Sequence, residues 1–352
     1  MSRTERLHSP DGPGRIAWLD HAKGICIILV VMLYATESVG NAAGGESWLH
    51  ELASFARPFR MPDFFLLSGL LLARVIQRDW RKYLDRKVVH FAYFYFLWLT
   101  ILFAFESPWM AAKEGWPAVA AGYLRAYWHP FSMLWFIYLL PVFFVVTKLA
   151  HRAPAALVWL IAAGLQVAQL ETGIKVFDKF ASYYVYFYTG FIVATHVFRF
   201  ADTVSAHRGK AFLGLALWAA VEAYLVFAGH AALPLVSLAL AFAGAAAVVA
   251  MAALICDKRA FRPLGYCGQH SIVIYLAFYI PLVVTDKIVA KSGLVTGVGW
   301  QSLLAMIGGV AGALALYWLV RGTPLRFLFE RPRWVSIAQP SARPTLAASP
   351  RV

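Results

Sequence analysis

Apolar windows of 17–24 residues recur along this chain, and each is long enough to cross a hydrocarbon core of about 30 Å as a helix. In hydrocarbon no water satisfies backbone N–H and C=O groups, so a run of such windows leaves few architectures open. The spacing predicts ten spans, at 24–38, 61–76, 88–106, 131–149, 154–170, 180–198, 211–229, 233–255, 271–289 and 300–320. Composition agrees. Hydrophobic residues make up 61% and charged residues 14% of 352, where a soluble domain would carry charge on about a quarter of its positions. The expected fold class is all-α and polytopic, and the first span is retained, because the polar ATESVGN segment follows it rather than a small-residue cleavage site.

The short loops give an orientation. With the N-terminus cytoplasmic, 24 of the 32 Lys and Arg fall on the cytoplasmic side, so both termini are expected there. The net charge of +14 then faces anionic lipid and needs no nucleic-acid partner. Residues 1–14 and 336–352 are rich in Pro, Ser and Arg and read as disordered cytoplasmic tails around one membrane domain, 15–335. Three cysteines without a C-x-x-C and ten scattered histidines support neither a disulfide framework nor a metal site.

An ionisable residue inside a span is costly and therefore a functional candidate. On the first span, Asp20, Lys23, Tyr34 and Glu37 share one face, since the eleven residues from Lys23 to Tyr34 make almost three turns. The residues between, Ile27 and Val30 or Val31, are apolar. The helix thus has a polar foot, a dry middle and a polar head about 16 Å higher. The second span opens with Arg57, Arg60 and Asp63 at intervals of three, where Tyr34 and Glu37 can meet Arg60 and Asp63. Each residue also has a plainer role. Asp20–Lys23 can be a local pair at a helix start, Tyr34 an interfacial tyrosine, Arg57 a lipid-phosphate contact and Trp135 a packing residue. Glu222 lies mid-span and requires an interior partner, and Asp286–Lys287 reads as a local pair.

Five motifs occur in order: W-L-D-x-A-K-G-I-x-I-I-L-V-V, R-M-P-D-F-F-L-L-S-G, L-W-F-I-Y-L-L-P, L-G-x-x-x-x-x-S-I-V-I-Y-L and F-E-R-P-R-W. Together, over about 15–335, they resemble the acyltransferase-3 family of integral-membrane O-acyltransferases, in particular its fucose 4-O-acetylase-like branch. The resemblance implies ten spans with both ends cytoplasmic. It also implies transfer of an acyl group, acetyl in the first instance, from cytosolic acyl-CoA to a hydroxyl of a sugar, glycan or lipid head group, with no bound cofactor. By resemblance, Arg15, Asp20 and Lys23 correspond to a basic–acidic–basic pattern at the donor end. The chain departs from the pattern where histidines are expected, carrying Tyr34, Arg60 and Phe278 instead.

That departure reassigns the chemistry. An unperturbed phenol, near 10, is a poor base beside an imidazole near 6.5. Tyr34, Glu37 and Asp63 are the candidates for proton transfer and oxyanion stabilisation. Lys23, with Arg15 and the basic 74–87 loop, would hold donor phosphate or carbonyl, and Arg57, Arg60 and Trp135 would hold the acceptor or stabilise charge. The expected setting is the inner membrane of a bacterium, with membrane lipids as neighbours. The competing expectation is a carrier or lipid-binding protein on the same fold that has lost catalysis.

Overall fold

The computed structural model describes residues 16–338 apart from 44 and 46, and its elements are helical throughout. The expected N-terminal tail and Arg15 lie outside the described residues. The long first helix, α1 (Ala17–Ala43), leads through Ser47, which caps α2 (Trp48–Phe55), and a turn into α3 (Arg60–Leu72). Next, α4 (Trp80–Leu84) passes through one π-helical turn into α5 (His90–Glu114). Gly115, at φ +82°, ends that run, and α6 (Trp116–Arg125) forms where an interfacial amphipathic segment is expected.

Seven more helices carry the chain to its second half: α7 (Trp135–Ala150), α8 (Ala155–Val167), α9 (Lys175–Ile192), α10 (Ala194–Ala206), α11 (Arg208–Phe227), α12 (Pro234–Ile255) and α13 (Arg262–Gln269). Then α14 (Ser271–Ala277) and α15 (Tyr279–Ser292) form one apolar stretch bent by 57° before α16 (Val298–Val320). Pro281 explains the bend, since it has no N–H for the Ala277 carbonyl and its ring presses on that carbonyl.

Among the described residues six helical runs are long and apolar enough to cross a membrane, and the bent α14–α15 pair, taken as one span, makes a seventh. The expected ten reduce to this number for physical reasons. Both α3 and α8 have only 13 residues, roughly 20 Å, and α9 mixes lysine, aspartate and tyrosine into its apolar residues. All ten expected spans nevertheless coincide with helices.

At the centre stands α1, packed on α3, α12, α13 and α16. Close crossings hold it there. A Cβ on Gly24 would strike the Leu264 carbonyl and one on Gly268 the Asp20 carbonyl, so α1 and α13 meet almost backbone to backbone. The same device joins α3 to α9, where Gly69 faces the Phe187 carbonyl and Gly190 the Leu66 carbonyl. On the periphery, α11 has one buried side chain, Glu222.

Candidate active site

The single helix α1 carries the polar stripe from foot to head. At the foot, Asp20 and Lys23 line a cavity of about 310 Å³ together with Arg74, His270 and Ser271. His21 turns away and donates from Nδ1 to the Ala17 carbonyl at 2.9 Å. A second, mainly apolar chamber of about 200 Å³ shares Lys23, Leu71, Ser271 and Ile272 with the first. It continues along Lys87, Phe91, Leu140 and Phe144 to Phe64, Phe136 and Tyr275. The Lys87 ammonium rests 4.5 Å from the centre of the Phe144 ring. The Tyr275 hydroxyl donates to the Met133 carbonyl just before α7 begins, where Ser132 takes the left-handed φ of +44° that lets the chain turn into the helix.

At the head, Tyr34 is half-buried against Phe278, ring centroids 5.5 Å apart, and Glu37 is exposed. Arg60 is buried and donates to the Ala53 carbonyl at 3.2 Å, and its charge acts on Tyr183, Glu37 and Tyr34. Arg57 sits in the turn before α3, exposed at the rim of a third cavity of about 850 Å³. His50, Glu51, Ser54, Gln166, Ser182, Tyr183, Tyr186 and Ser237 give that cavity a polar and aromatic wall. Trp135 stacks on Tyr183 at 5.2 Å and lies under the Lys179 ammonium, also at 5.2 Å.

Between the inner chamber and the head cavity stands a wall of rings. Phe65 is fully buried and touches Phe136 at 4.6 Å on the chamber side and Tyr183 at 5.4 Å on the cavity side, with Trp135 at 6.0 Å. Aromatic pairs at such distances pack firmly.

Asp63 does not join Tyr34 and Glu37. It is 1% exposed and is influenced by Glu222 on α11 and by Cys26 on α1, and neither carboxylate oxygen has a hydrogen-bond partner. Glu222 is wholly buried, and its interior neighbours are the Trp218 indole, one turn earlier on α11, and the Asp63 carboxyl group. Asp286 and Lys287 do not pair either: Asp286 accepts from Ser38 Oγ at 2.7 Å, and the Lys287 ammonium lies 4.0 Å over the Trp109 ring. Tyr183 and Ser271 were not singled out for the site by sequence reasoning. The i, i+3 spacing of Tyr183 and Tyr186 on α9 could have flagged the former, whereas nothing local marks Ser271.

Residues 16–321 match the family described as "Acyltransferase domain". The chain is 25% identical over 292 residues to the nodulation protein NolL of Sinorhizobium fredii (strain NBRC 101917 / NGR234), covering 76% of this chain and 78% of that one. It is 27% identical over 162 residues to the inner membrane protein YcfT of Escherichia coli (strain K12), covering 38% and 44%. No solved structure matches. An all-helical chain with membrane-crossing helices, matched over nearly its whole described length, belongs to this family of acyltransferases.

Proposed function

We propose that this protein is an O-acyltransferase of a bacterial inner membrane. It takes an acyl group, acetyl in the first instance, from cytosolic acyl-CoA and gives it to a hydroxyl of a sugar, glycan or lipid head group at the opposite face. The observation that carries this reading is a run of cavities through the helices. A lysine-bearing cavity at the foot of α1 shares Lys23 and Ser271 with the inner chamber, and Phe65 packs between Phe136 of that chamber and Tyr183 of the polar and aromatic cavity. The charge distribution of the loops puts the foot on the cytosolic side.

In the reaction the acceptor hydroxyl attacks the thioester carbonyl, the C–S bond breaks and an ester C–O bond forms. The hydroxyl proton passes to the departing thiolate. Lys23, with Arg15 and Arg74, holds the anionic end of the donor. Tyr34 donates to the oxyanion that develops on the carbonyl, and Arg60 offsets its charge through the dry surroundings. Glu37 is the base for the acceptor, Arg57 lines the cavity that takes it, and Trp135 backs the Tyr183 wall of that cavity. Asp63, buried and acted on by Glu222, is held out of the proton transfer.

The test uses inverted vesicles carrying the protein, with acetyl-labelled acetyl-CoA outside. Label should enter lipid or glycan in wild type and not with Lys23→Ala. Label transfer of equal extent in Lys23→Ala would remove the donor role of the foot.

A further inference from the structure

We infer that Ser271 is a positioning residue for the donor, and that the chamber beyond it limits the transferred group to a short acyl chain. This inference rests on the acyl-CoA reading above and deepens it. Ser271 is 8% exposed and its hydroxyl has no hydrogen-bond partner among the described residues, although it lines both the foot cavity and the inner chamber. Its hydroxyl opens on both cavities and is committed to no protein group, so it is free to bond a polar ligand atom where the two meet.

The chemistry of the donor supplies that atom. A CoA thioester ends in an amide, two methylenes, sulfur and the acyl group. With phosphates held at the lysine-bearing mouth, the arm must pass Leu71 and Ile272, which line both cavities. Past that point the lining is mainly apolar, with Phe64, Leu67, Phe136, Leu140 and Phe144; Ser68 there already donates to the Phe64 carbonyl, and the Lys87 ammonium lies over the Phe144 ring. An amide is poorly served by such walls, whereas a thioester and methyl group are well served. The last amide of the arm therefore belongs at Ser271.

Volume sets the chain length. An apolar cavity of about 150 Å³ in a protein holds one benzene, six heavy atoms, so roughly eight fit where there is one third more space. The chamber has about 200 Å³. An acetyl thioester with its two methylenes and the amide nitrogen comes to roughly seven heavy atoms, which fills the space. A hexanoyl chain would have to displace Phe136 or Phe64, two rings packed 5.4 Å apart.

The experiment measures binding of donors to the purified full chain in detergent by thermal shift, which needs no acceptor. Acetyl-CoA should raise the unfolding midpoint of wild type, and hexanoyl-CoA should bind at least tenfold more weakly. Ser271→Ala should weaken acetyl-CoA about tenfold, with its unliganded midpoint unchanged, and Ser271→Thr, which keeps the hydroxyl, should restore most of the affinity. Equal affinity of Ser271→Ala and wild type would overturn the role of Ser271, and equal affinity for hexanoyl-CoA would overturn the length limit. Both results would leave the acyl-CoA reading standing. Should no CoA thioester bind wild type at all, that reading falls and takes this inference with it.

Discussion

Tyr34 carries its hydroxyl on a ring that packs independently against Phe278. Removing the oxygen therefore separates chemistry from packing. Tyr34→Phe should lower the acyl-transfer rate about a hundredfold, the scale of a lost oxyanion donor, and leave the thermal midpoint in place. An unchanged rate would show that the Tyr34 hydroxyl takes no part in the chemistry. Asp63 and Glu222 pose the opposite case, since four carboxylate oxygens lie buried without one hydrogen bond. Replacing a buried unsatisfied acid by an apolar residue of similar size relieves a desolvation cost. Glu222→Leu should raise stability by about 1–4 kcal/mol, read as the unfolding midpoint in detergent. A marked fall would mean instead that something bound between the two carboxyl groups holds α11 to α3.

Elements decide which of these residues meet, and here the sequence was uneven. The foot, middle and head of α1 were legible because one uninterrupted helix carries them and 3.6 residues per turn sets the face. Asp63 could be placed on a helix but not aimed, since its direction depends on how α3 rolls against α9. That roll is fixed by Gly69 and Gly190, whose partners are backbone carbonyls on the opposing helix. Gly69→Ala pushes a methyl into the Phe187 carbonyl and should cost about 1–3 kcal/mol of stability, with a matching loss of transfer as Arg60 and Tyr183 separate. Spans of full length were legible from apolarity alone, whereas α3 and α9 depend on being sheathed by neighbours. The wall of rings was not legible at all, because Phe65, Phe136 and Tyr183 come from three helices. Its role can be read directly. Phe65→Ala removes the ring packed between Phe136 of the chamber and Tyr183 of the cavity, so water should reach a thioester bound in the chamber and the ratio of acyl-CoA hydrolysis to transfer should rise several-fold. A ratio that stays at the wild-type value would show that Phe65 is packing and not a barrier.

At the scale of the whole molecule, the end of the chain is strapped back onto its middle, across a separation of 246 residues. Asp85, buried in the π-helical turn before α5, accepts from Arg331 at 2.7 Å, from the Ile337 N–H at 2.8 Å and from Ser336 Oγ at 3.1 Å. Arg331 also donates to the Asp85 backbone carbonyl, Arg81 donates to the Ile337 carbonyl at 2.8 Å, and Trp98 to that of Leu328 at 3.0 Å. Residues 336–338 of the expected C-terminal tail are thus part of the fold, and residues 339–352 lie outside the described residues. The F-E-R-P-R-W motif acquires a physical reason, since its first arginine neutralises a buried carboxylate and its second, Arg333, is exposed. Two residues beyond Asp85 in the same turn, Lys87 borders the donor chamber, so the strap bears on the site through that turn. Arg331→Ala leaves Asp85 buried and short of its charged partner and should destabilise the chain by about 3–5 kcal/mol. It should also weaken acyl-CoA binding as the turn carrying Lys87 loosens. Arg333→Ala, at an exposed position, should change neither. Thermal midpoints and donor affinities of the two variants, measured side by side, decide between them: equal midpoints would show the strap to be superficial, and a lower midpoint with unaltered affinity would confine it to stability.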